Sequence, residues 1–171
     1  GSNINILGIE FNWERISLGE IDSYTFFSLG EFMMYKYYQI HKDKYDVAFD
    51  VGANIGIDSI ILGKLGYKVH SFEPDPENVE KFNSHIMSNK LEGNIHVYEE
   101  ALSNERGEVE FVRVKGNESA SHIKSARSSY GPTETFKVNM IKFEDVNVTP
   151  DLMKINIEGY EKYLVPSINP E

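Results

Sequence analysis

The stretch of residues 46–56 constrains the fold of this chain more than any other part of the sequence. It reads DVAFDVGANIG, so a short apolar run stops at Gly52, a second glycine follows at Gly56, and apolar residues then recur at helical spacing. This pattern predicts a buried strand, a tight turn and a helix. Glycine lets the backbone of such a turn approach a ligand closely, and the first turn of the helix presents unpaired N–H groups. We therefore expect a nucleotide-like ligand at this turn.

The residues that follow indicate which ligand this is. A second strand is predicted at residues 67–72, and it ends at Glu73 and Pro74. An acidic residue about 20 positions after the first glycine, at the tip of the next strand, can accept hydrogen bonds from ribose hydroxyls. Dinucleotide-binding turns carry a third glycine that this turn lacks, and the carboxylate of Asp50 would repel a diphosphate but suits a cation. These features favour S-adenosylmethionine and disfavour a nicotinamide-dependent oxidoreductase.

The remaining periodicity predicts the rest of an α/β fold. Asp75 and Pro76 are typical of a helix start, a third strand is expected at residues 95–98, and a fourth at residues 151–157. Between the last two, the apolar pattern changes to period two, which predicts two antiparallel strands joined by a long polar excursion. Successive strand–helix units imply a mostly parallel sheet with flanking helices, and ligands then bind at the carboxyl ends of its strands.

The first 45 residues are expected to form a lead-in and an aromatic helix, followed by the ligand-binding core over residues 46–171, within a single domain. Residues 3–19 allow either a short strand pair or an irregular segment. A helix is predicted over residues 22–40, with Asp22 or Ser28 as its cap. Its apolar face carries Leu29, Phe32, Met33, Tyr37 and Ile40. The same region carries the aromatic residues Tyr24, Phe26, Phe27, Phe32, Tyr35, Tyr37 and Tyr38. An aromatic stripe at helical spacing is first of all a sign of burial, so we expect these residues to pack into the core, with a wall of the substrate or cofactor cleft as the alternative.

Composition and charge limit the partners of the chain. The net charge of −10 disfavours nucleic acid, whose phosphates repel an acidic surface. The chain has no cysteine, and its five histidines show no ligand spacing, so we expect neither a disulfide nor a metal site. Its apolar stretches are too short to span a membrane, and no signal-peptide pattern opens the sequence, so we expect a cytoplasmic protein without a membrane partner.

The same motifs resemble the FkbM family of S-adenosylmethionine-dependent methyltransferases. The resemblance covers about residues 47–163 and is carried by DVGANIG at 50–56, FEPDPEN at 72–78, EALSNERG at 100–107 and KINIEGYE at 154–161. It implies a Rossmann-like methyltransferase domain with an inserted antiparallel hairpin. It also implies that the acceptor is a hydroxyl, often on a sugar or on another small-molecule scaffold.

The resemblance and the residue pattern together suggest roles for individual residues. The cofactor-binding residues that we expect are Asp50, Gly52, Ala53, Asn54, Gly56, Glu73, Pro74, Glu100, Ala101 and Asn156. Glu100 and Ala101 are expected near the adenine. Two candidates remain open for removing the proton of the acceptor hydroxyl: Glu158, at the tip of the fourth strand, and His122, in the polar excursion. The serine-rich residues 119–121 resemble a family segment over the active site.

Two departures from the family pattern bear on activity. Asn156 stands where the family typically has aspartate, which removes a carboxylate from the tip of the fourth strand. The sequence given ends at Glu171, whereas the family continues with a further helix and strands, so we expect a fragment or a short version in which the C-terminal strands of the class are missing. A fourth strand at the edge of the sheet predicts self-association. The alternative to an active methyltransferase is a catalytically impaired module that binds the cofactor or a partner.

Overall fold

The computed structural model of the chain describes residues 1–15, 17–18, 21–22, 27–114, 122–123 and 133–168. The described residues form strands and helices that alternate through the middle of the chain. In chain order, the elements are β1 (Ser2–Ile6), β2 (Ile9–Trp13), β3 (Ser17–Leu18), β4 (Ile21–Asp22), α1 (Leu29–His41), β5 (Val47–Val51), α2 (Ile57–Lys64), β6 (Lys68–Phe72), α3 (Pro76–Asn89), β7 (Ile95–Tyr98), β8 (Ala101–Ser103), β9 (Gly107–Val114), β10 (His122–Ile123), β11 (Thr133–Lys142), β12 (Leu152–Ile155) and α4 (Glu161–Leu164), with 3₁₀ turns at Phe143–Asp145 and Val165–Ser167.

The central sheet contains four strands in the order β12-β5-β6-β7, and each neighbouring pair is parallel. The predicted parallel sheet with flanking helices is therefore confirmed. The chain leaves β5 towards β6 and β7 on one side and later returns to place β12 on the other side. The sheet thus has a switch point between β5 and β12, and in open α/β sheets the ligand crevice lies outside the carboxyl ends of the strands at such a point.

A second sheet has the order β10-β9-β11-β8. The long pair β9 and β11 is antiparallel, from Gly107 opposite Met140 to Val114 opposite Thr133. This is the antiparallel pair that the period-two pattern predicts. Ala101 to Ser103 form the short strand β8, which pairs in parallel with β11. The segments that join β9, β10 and β11 lie outside the described residues.

The helix α1 begins later than its sequence predicts, and some of the aromatic residues expected in the core are buried. It starts at Leu29, while Asp22 belongs to β4, and Ser28 holds the position before the helix without a side-chain cap. The helix buries the tyrosine face that contains Tyr35 and Tyr38, whose exposed fractions are 0% and 2%. The apolar face that carries Leu29 is mostly exposed: Leu29 76%, Met33 70%, Ile40 63% and Tyr37 42%. Tyr38 reaches a polar partner inside the protein, since its hydroxyl donates a hydrogen bond to Asp58 at 3.1 Å.

The hairpin of β1 and β2 packs against α2 and α3, so the first residues of the chain share a hydrophobic core with the helices of the central sheet. Phe11 and Trp13 are buried there, and the Trp13 ring stacks on His85 of α3 with 3.9 Å between ring centroids. The opposite face of the central sheet packs on the second sheet, where Phe49 and Phe72 join Phe111 in another buried cluster. The helices within the described ranges are too short or too polar to serve as membrane spans.

Candidate active site

The turn after β5 has a backbone that only glycine can adopt at two positions. Gly52 has φ of 79°, and a Cβ at this residue would lie 2.0 Å from the backbone oxygen of Asn156. Gly56 has φ of 92°, and a Cβ there would lie 2.0 Å from the ring of Phe82. Side chains rarely adopt such φ values, and neither space admits one. The turn can therefore lie directly against the end of β12 and against α3.

The turn is joined to the end of β6 by the carboxylate of Glu73. The backbone N–H of Asn54 donates to Oε2 of Glu73 at 2.8 Å, and the N–H of Asp75 donates to Oε1 at 2.9 Å. The side-chain amide of Asn78 lies 3.5 Å from Oε1. A carboxylate has about four acceptor positions, so these three donors leave one for a ligand. Glu73 thus links the glycine turn to the start of α3.

Glu73 is almost wholly buried, with 4% of its surface exposed. Burial raises its pKa to about 7, although the N–H groups of Asp75 and Asn54 favour the charged form. A carboxylate that is half protonated near neutral pH at the end of a strand marks this position as a candidate functional site.

A cavity of about 250 Å³ lies over the tips of β5, β6 and β12. Such a volume is slightly below the roughly 300 Å³ at which small-molecule sites usually begin. Nine of the residues expected at the site line it: Gly52, Ala53, Asn54, Gly56, Glu73, Pro74, Ala101, Asn156 and Glu158. The sequence therefore located most of the cavity wall, although these residues are spread over more than half of the chain.

Asp50 and Glu100 are not among the residues that line this cavity. Asp50 is fully buried beneath the turn, where its carboxylate accepts hydrogen bonds from Ser59 at 2.6 Å and from Lys154 at 3.0 Å. The alternation of side chains along β5 turns Asp50 towards the helix α2 and away from the crevice. Glu100 lies in the bend before β8, where Ala101 rather than Glu100 reaches the cavity. The structure thus differs from the sequence expectation for both carboxylates.

The structure describes the side chain of only one of the two candidates for accepting the hydroxyl proton. Glu158 lines the cavity. The backbone of His122, in β10, pairs with that of Val112 in β9, but the His122 side chain and residues 119–121 lie outside the described part of the chain. The structure therefore describes only Glu158 at the site.

The loop that carries Glu158 has a strained backbone. Glu158 has φ of 55°, a value that is uncommon for a residue with a side chain, and Gly159 follows with φ of 102°. Glu161 stabilises this loop because its two carboxylate oxygens accept from the N–H groups of Ile157 and Gly159, each at 2.7 Å. Strain that is held in place by such contacts is frequent at active sites.

A buried ion-pair cluster supports the cavity from below. The Lys154 ammonium lies 3.0 Å from Asp50 and 3.5 Å from Asp58, and it donates to the carbonyl oxygen of Gly52 at 3.3 Å. Burial opposes the charge on Lys154, but Asp50 and Asp58 outweigh it and hold its pKa above the ordinary value. Burial also raises the pKa of Asp58, against the influence of Lys154. The cluster ties β12 to the glycine turn and to the first turn of α2.

Sequence reasoning missed some of the cavity wall. Lys154 and Asp58 both line it, and Asp58 carries a weak signal as an acidic residue in the first helical turn after Gly56. The second sheet adds apolar side chains, and α1 adds two more residues. These are Leu102, Phe111, Ile123, Glu31 and Met34. Their period-two or helical spacing indicates burial but not which cavity they line.

The cavity has an acidic lining. Among the described residues that line it are four carboxyl groups, on Glu31, Asp58, Glu73 and Glu158, and one ammonium, on Lys154, which is already paired. A site of this charge attracts a cationic ligand and disfavours a polyphosphate.

Residues 50–164 of the chain match the methyltransferase FkbM domain. The chain belongs to the FkbM methyltransferase family. The resemblance seen in the four sequence motifs is therefore confirmed. The family uses S-adenosylmethionine, which is the cofactor expected from the glycine turn and Glu73.

Solved structures similar to this FkbM domain include several methyltransferases. An S-adenosylmethionine-dependent methyltransferase from Agrobacterium tumefaciens is 12% identical, with a TM-score of 0.44, over 58% of this chain and 32% of that one. An rRNA methylase from Streptococcus thermophilus is 19% identical, with a TM-score of 0.38, over 40% of this chain and 38% of that one. A precorrin-6y C5,15-methyltransferase from Geobacter metallireducens is 11% identical, with a TM-score of 0.34, over 65% of this chain and 87% of that one.

This FkbM domain spans only about a third of the length of the first two structures, 32% and 38%. No curated protein matches the chain. The family assignment accordingly depends on the domain match over residues 50–164.

Proposed function

We propose that this domain binds S-adenosylmethionine in the cavity over β5, β6 and β12 and methylates a hydroxyl on a sugar or other small-molecule scaffold. One observation carries the proposal: the hydrogen bond from the Asn54 N–H to Glu73, which joins the glycine turn and a buried carboxylate at the edge of a single cavity. Ribose hydroxyls need an acceptor at this place, and the turn gives a ligand close access to the backbone.

The residues present fit this cofactor. Glu73 retains an acceptor position for a ribose hydroxyl, and the apolar side chains of Leu102 and Phe111 suit the adenine ring. The acidic lining, including Asp58, suits the positive amino and sulfonium groups. Bound S-adenosylmethionine supplies a methyl group on a positively charged sulfur.

The contribution of the protein is then mainly to orient the reactants. Holding the acceptor oxygen in line with the methyl group can supply roughly 7 to 11 kcal/mol in favourable cases. We assign Glu158 as the base: a carboxylate oxygen takes the hydroxyl proton of the acceptor, which adds roughly 10² to 10⁴ in rate. The contacts of Glu161 with Ile157 and Gly159 hold the Glu158 loop in place for this step. His122 remains the other candidate from the sequence.

Charge and the family resemblance support this choice of acceptor class. The net charge of −10 and the acidic cavity argue against a nucleic acid or another polyanion. A neutral hydroxyl of a glycan or small molecule does not experience this repulsion. The cytoplasmic location and the lack of a membrane partner remain predictions of the sequence.

The cofactor site is tested by isothermal titration calorimetry with S-adenosylmethionine and S-adenosylhomocysteine. We expect Glu73→Ala to weaken binding by roughly 10- to 150-fold for each ribose hydrogen bond that it removes, so that binding becomes undetectable. Glu92→Ala, a change of the same type at an exposed loop position, is the control and leaves the affinity unchanged. Equal affinity of the Glu73→Ala variant and the unmodified protein would refute the site.

Methyl transfer is tested with radiolabelled cofactor and a panel of glycan and natural-product hydroxyl acceptors. We expect Glu158→Gln to lower the rate by roughly 10² to 10⁴ and to leave cofactor affinity unchanged.

Asn156 lines the cavity where the family typically has aspartate, and this favours a second candidate, a module that binds the cofactor without turnover. Tight cofactor binding with no transfer to any acceptor would support that module.

A further inference from the structure

Arg113 of β9 makes a buried ion pair that the proposed reaction does not use. Its Nε donates to Oδ2 of Asp75 at 2.9 Å, and its Nη2 donates to Oδ1 at 2.6 Å. The side chain of Arg113 is 9% exposed and that of Asp75 is 1% exposed. Two parallel hydrogen bonds from a guanidinium to one carboxylate fix both partners in distance and in angle. The pair joins the second sheet to the residue before α3.

Asp75 transmits this contact to the proposed cofactor site. Its backbone N–H donates to Oε1 of Glu73 at 2.9 Å, while its side chain also accepts from the N–H of Glu77 at 3.0 Å and caps α3. A displacement of Asp75 therefore moves a donor on which the Glu73 carboxylate depends.

The remaining contacts of Arg113 hold the guanidinium itself in place. Its Nη1 donates to Glu77 at 2.8 Å and to Glu134 at 3.2 Å, and its guanidinium carbon lies 4.8 Å from the centre of the Phe136 ring. Phe111, two residues earlier on β9, lines the cavity. Lysine cannot reproduce the planar fork of two parallel donors, so the geometry of this ion pair needs arginine.

We propose that Arg113 is a positioning residue for cofactor binding. Arg113 holds the backbone N–H of Asp75 on Glu73 and thereby aims the Glu73 carboxylate at the ribose hydroxyls. This inference rests on the proposed function of the cavity. Arg113 itself does not line the cavity, so it acts through Asp75 and Glu73.

The charge balance around Glu73 distinguishes positioning from simple stabilisation. Burial raises the pKa of Glu73 and the charge of Asp75 raises it further, while Asn54 and Asn78 contribute only uncharged donors. Arg113 acts on this balance through its ion pair with Asp75. Without Arg113, the buried charge of Asp75 has no counterion among these groups and repels a charge on Glu73. The pKa of Glu73 then rises further, and the carboxylate form that binds ribose hydroxyls most strongly needs a higher pH.

The test measures the affinity for S-adenosylhomocysteine by calorimetry from pH 6 to pH 9. We expect Arg113→Met to weaken binding roughly tenfold or more at pH 7 and to move the midpoint of the pH profile up by about one unit. Arg113→Lys keeps the charge but loses the fork, so its midpoint stays near that of the unmodified protein while its affinity falls. Arg106→Met is the matched control, because Arg106 makes a similar two-bond pair with Asp145 on the exposed surface. This control leaves both affinity and pH profile unchanged.

A second substitution tests the route through Asp75. Asp75→Asn keeps the cap-forming oxygen but removes the charge, so in the Arg113→Met background it returns the pH midpoint towards its original value. If the unmodified protein does not bind S-adenosylhomocysteine, the proposed function fails. If it binds and Arg113→Met has the same pH profile, or Asp75→Asn has no effect on the profile, the positioning role is overturned. If Arg113→Met does not fold, an unchanged affinity in Arg113→Lys overturns it equally.

Discussion

At the scale of single residues, the site depends on a carboxylate that the protein has removed from water. Glu73 accepts hydrogen bonds from Asn54, Asp75 and Asn78, yet its burial still raises its pKa to about 7. The donors favour the charged form but do not replace the solvent that the carboxylate has lost. A ligand hydroxyl at the remaining acceptor position would stabilise the charged form further.

This pKa predicts how the stability of the unliganded protein depends on pH. The folded state keeps a proton on Glu73 up to about pH 7, while the unfolded state loses it near the ordinary value of 4.5. Stability therefore falls as pH rises between these two values, because the folded state must hold the proton or bury a charge. Relative to the unmodified protein, we expect Glu73→Gln to gain about 1 to 3 kcal/mol of unfolding free energy between pH 4 and pH 8. Urea unfolding of both proteins across this range measures the difference, and a pH-independent difference would show that Glu73 titrates normally.

At the scale of elements, α1 shows why an apolar stripe does not by itself define a buried face. The helix has an apolar stripe that includes Met33, but it turns a face with tyrosines into the core. The hydroxyl of Tyr38 donates to Asp58, and its backbone oxygen accepts from Tyr67 at 2.8 Å. Tyrosine gains large apolar contact area and keeps a hydrogen bond when buried, so these contacts compete well with those of the aliphatic stripe.

Two substitutions on α1 distinguish the faces. Met33→Ser changes an exposed side chain, so we expect the free energy of unfolding to change by no more than about 0.5 kcal/mol. Tyr35→Ala removes a fully buried ring, so we expect a loss of about 3 to 5 kcal/mol. Chemical denaturation of both variants measures these values. A loss at Met33 comparable to that at Tyr35 would mean that the stripe is buried.

At the scale of the whole molecule, the cavity proposed to bind the cofactor is formed where two sheets and several helices meet. The central sheet contributes strand tips, the second sheet contributes Phe111 and Ile123, and α1 contributes Glu31 and Met34. The wall of this cavity cannot be predicted from the residues of one segment, because its parts come together only when the two sheets pack. The same packing leaves β12 at an edge, where among the described strands it pairs only with β5.

The edge position of β12 predicts self-association. Its outer backbone groups can pair with a strand of a second copy, as unpaired edges commonly do. We expect the weight-average mass in sedimentation velocity to rise with protein concentration towards that of a dimer. A mass that equals the monomer at all concentrations would count against this prediction.

The local parts of the site could be predicted from the sequence because they depend on backbone chemistry. Gly52 and Gly56 occupy conformations that other residues avoid, and Asp75 caps α3 with Pro76 at its first position, as expected. The position of Glu73 at the site could be predicted because this residue directly follows a predicted strand. Each of these signals is confined to a few consecutive residues.

The sequence by itself therefore determined the strand–turn–helix units, the parallel sheet and the residues at the tips of its strands. Only the tertiary structure decided that Asp50 lies beneath the turn, that Lys154 joins Asp50 and Asp58, and that Arg113 reaches Asp75 from another sheet. The physical reason is separation along the chain. Turns and caps are set by neighbouring residues, whereas buried charges find their partners only when distant segments pack together and water is removed.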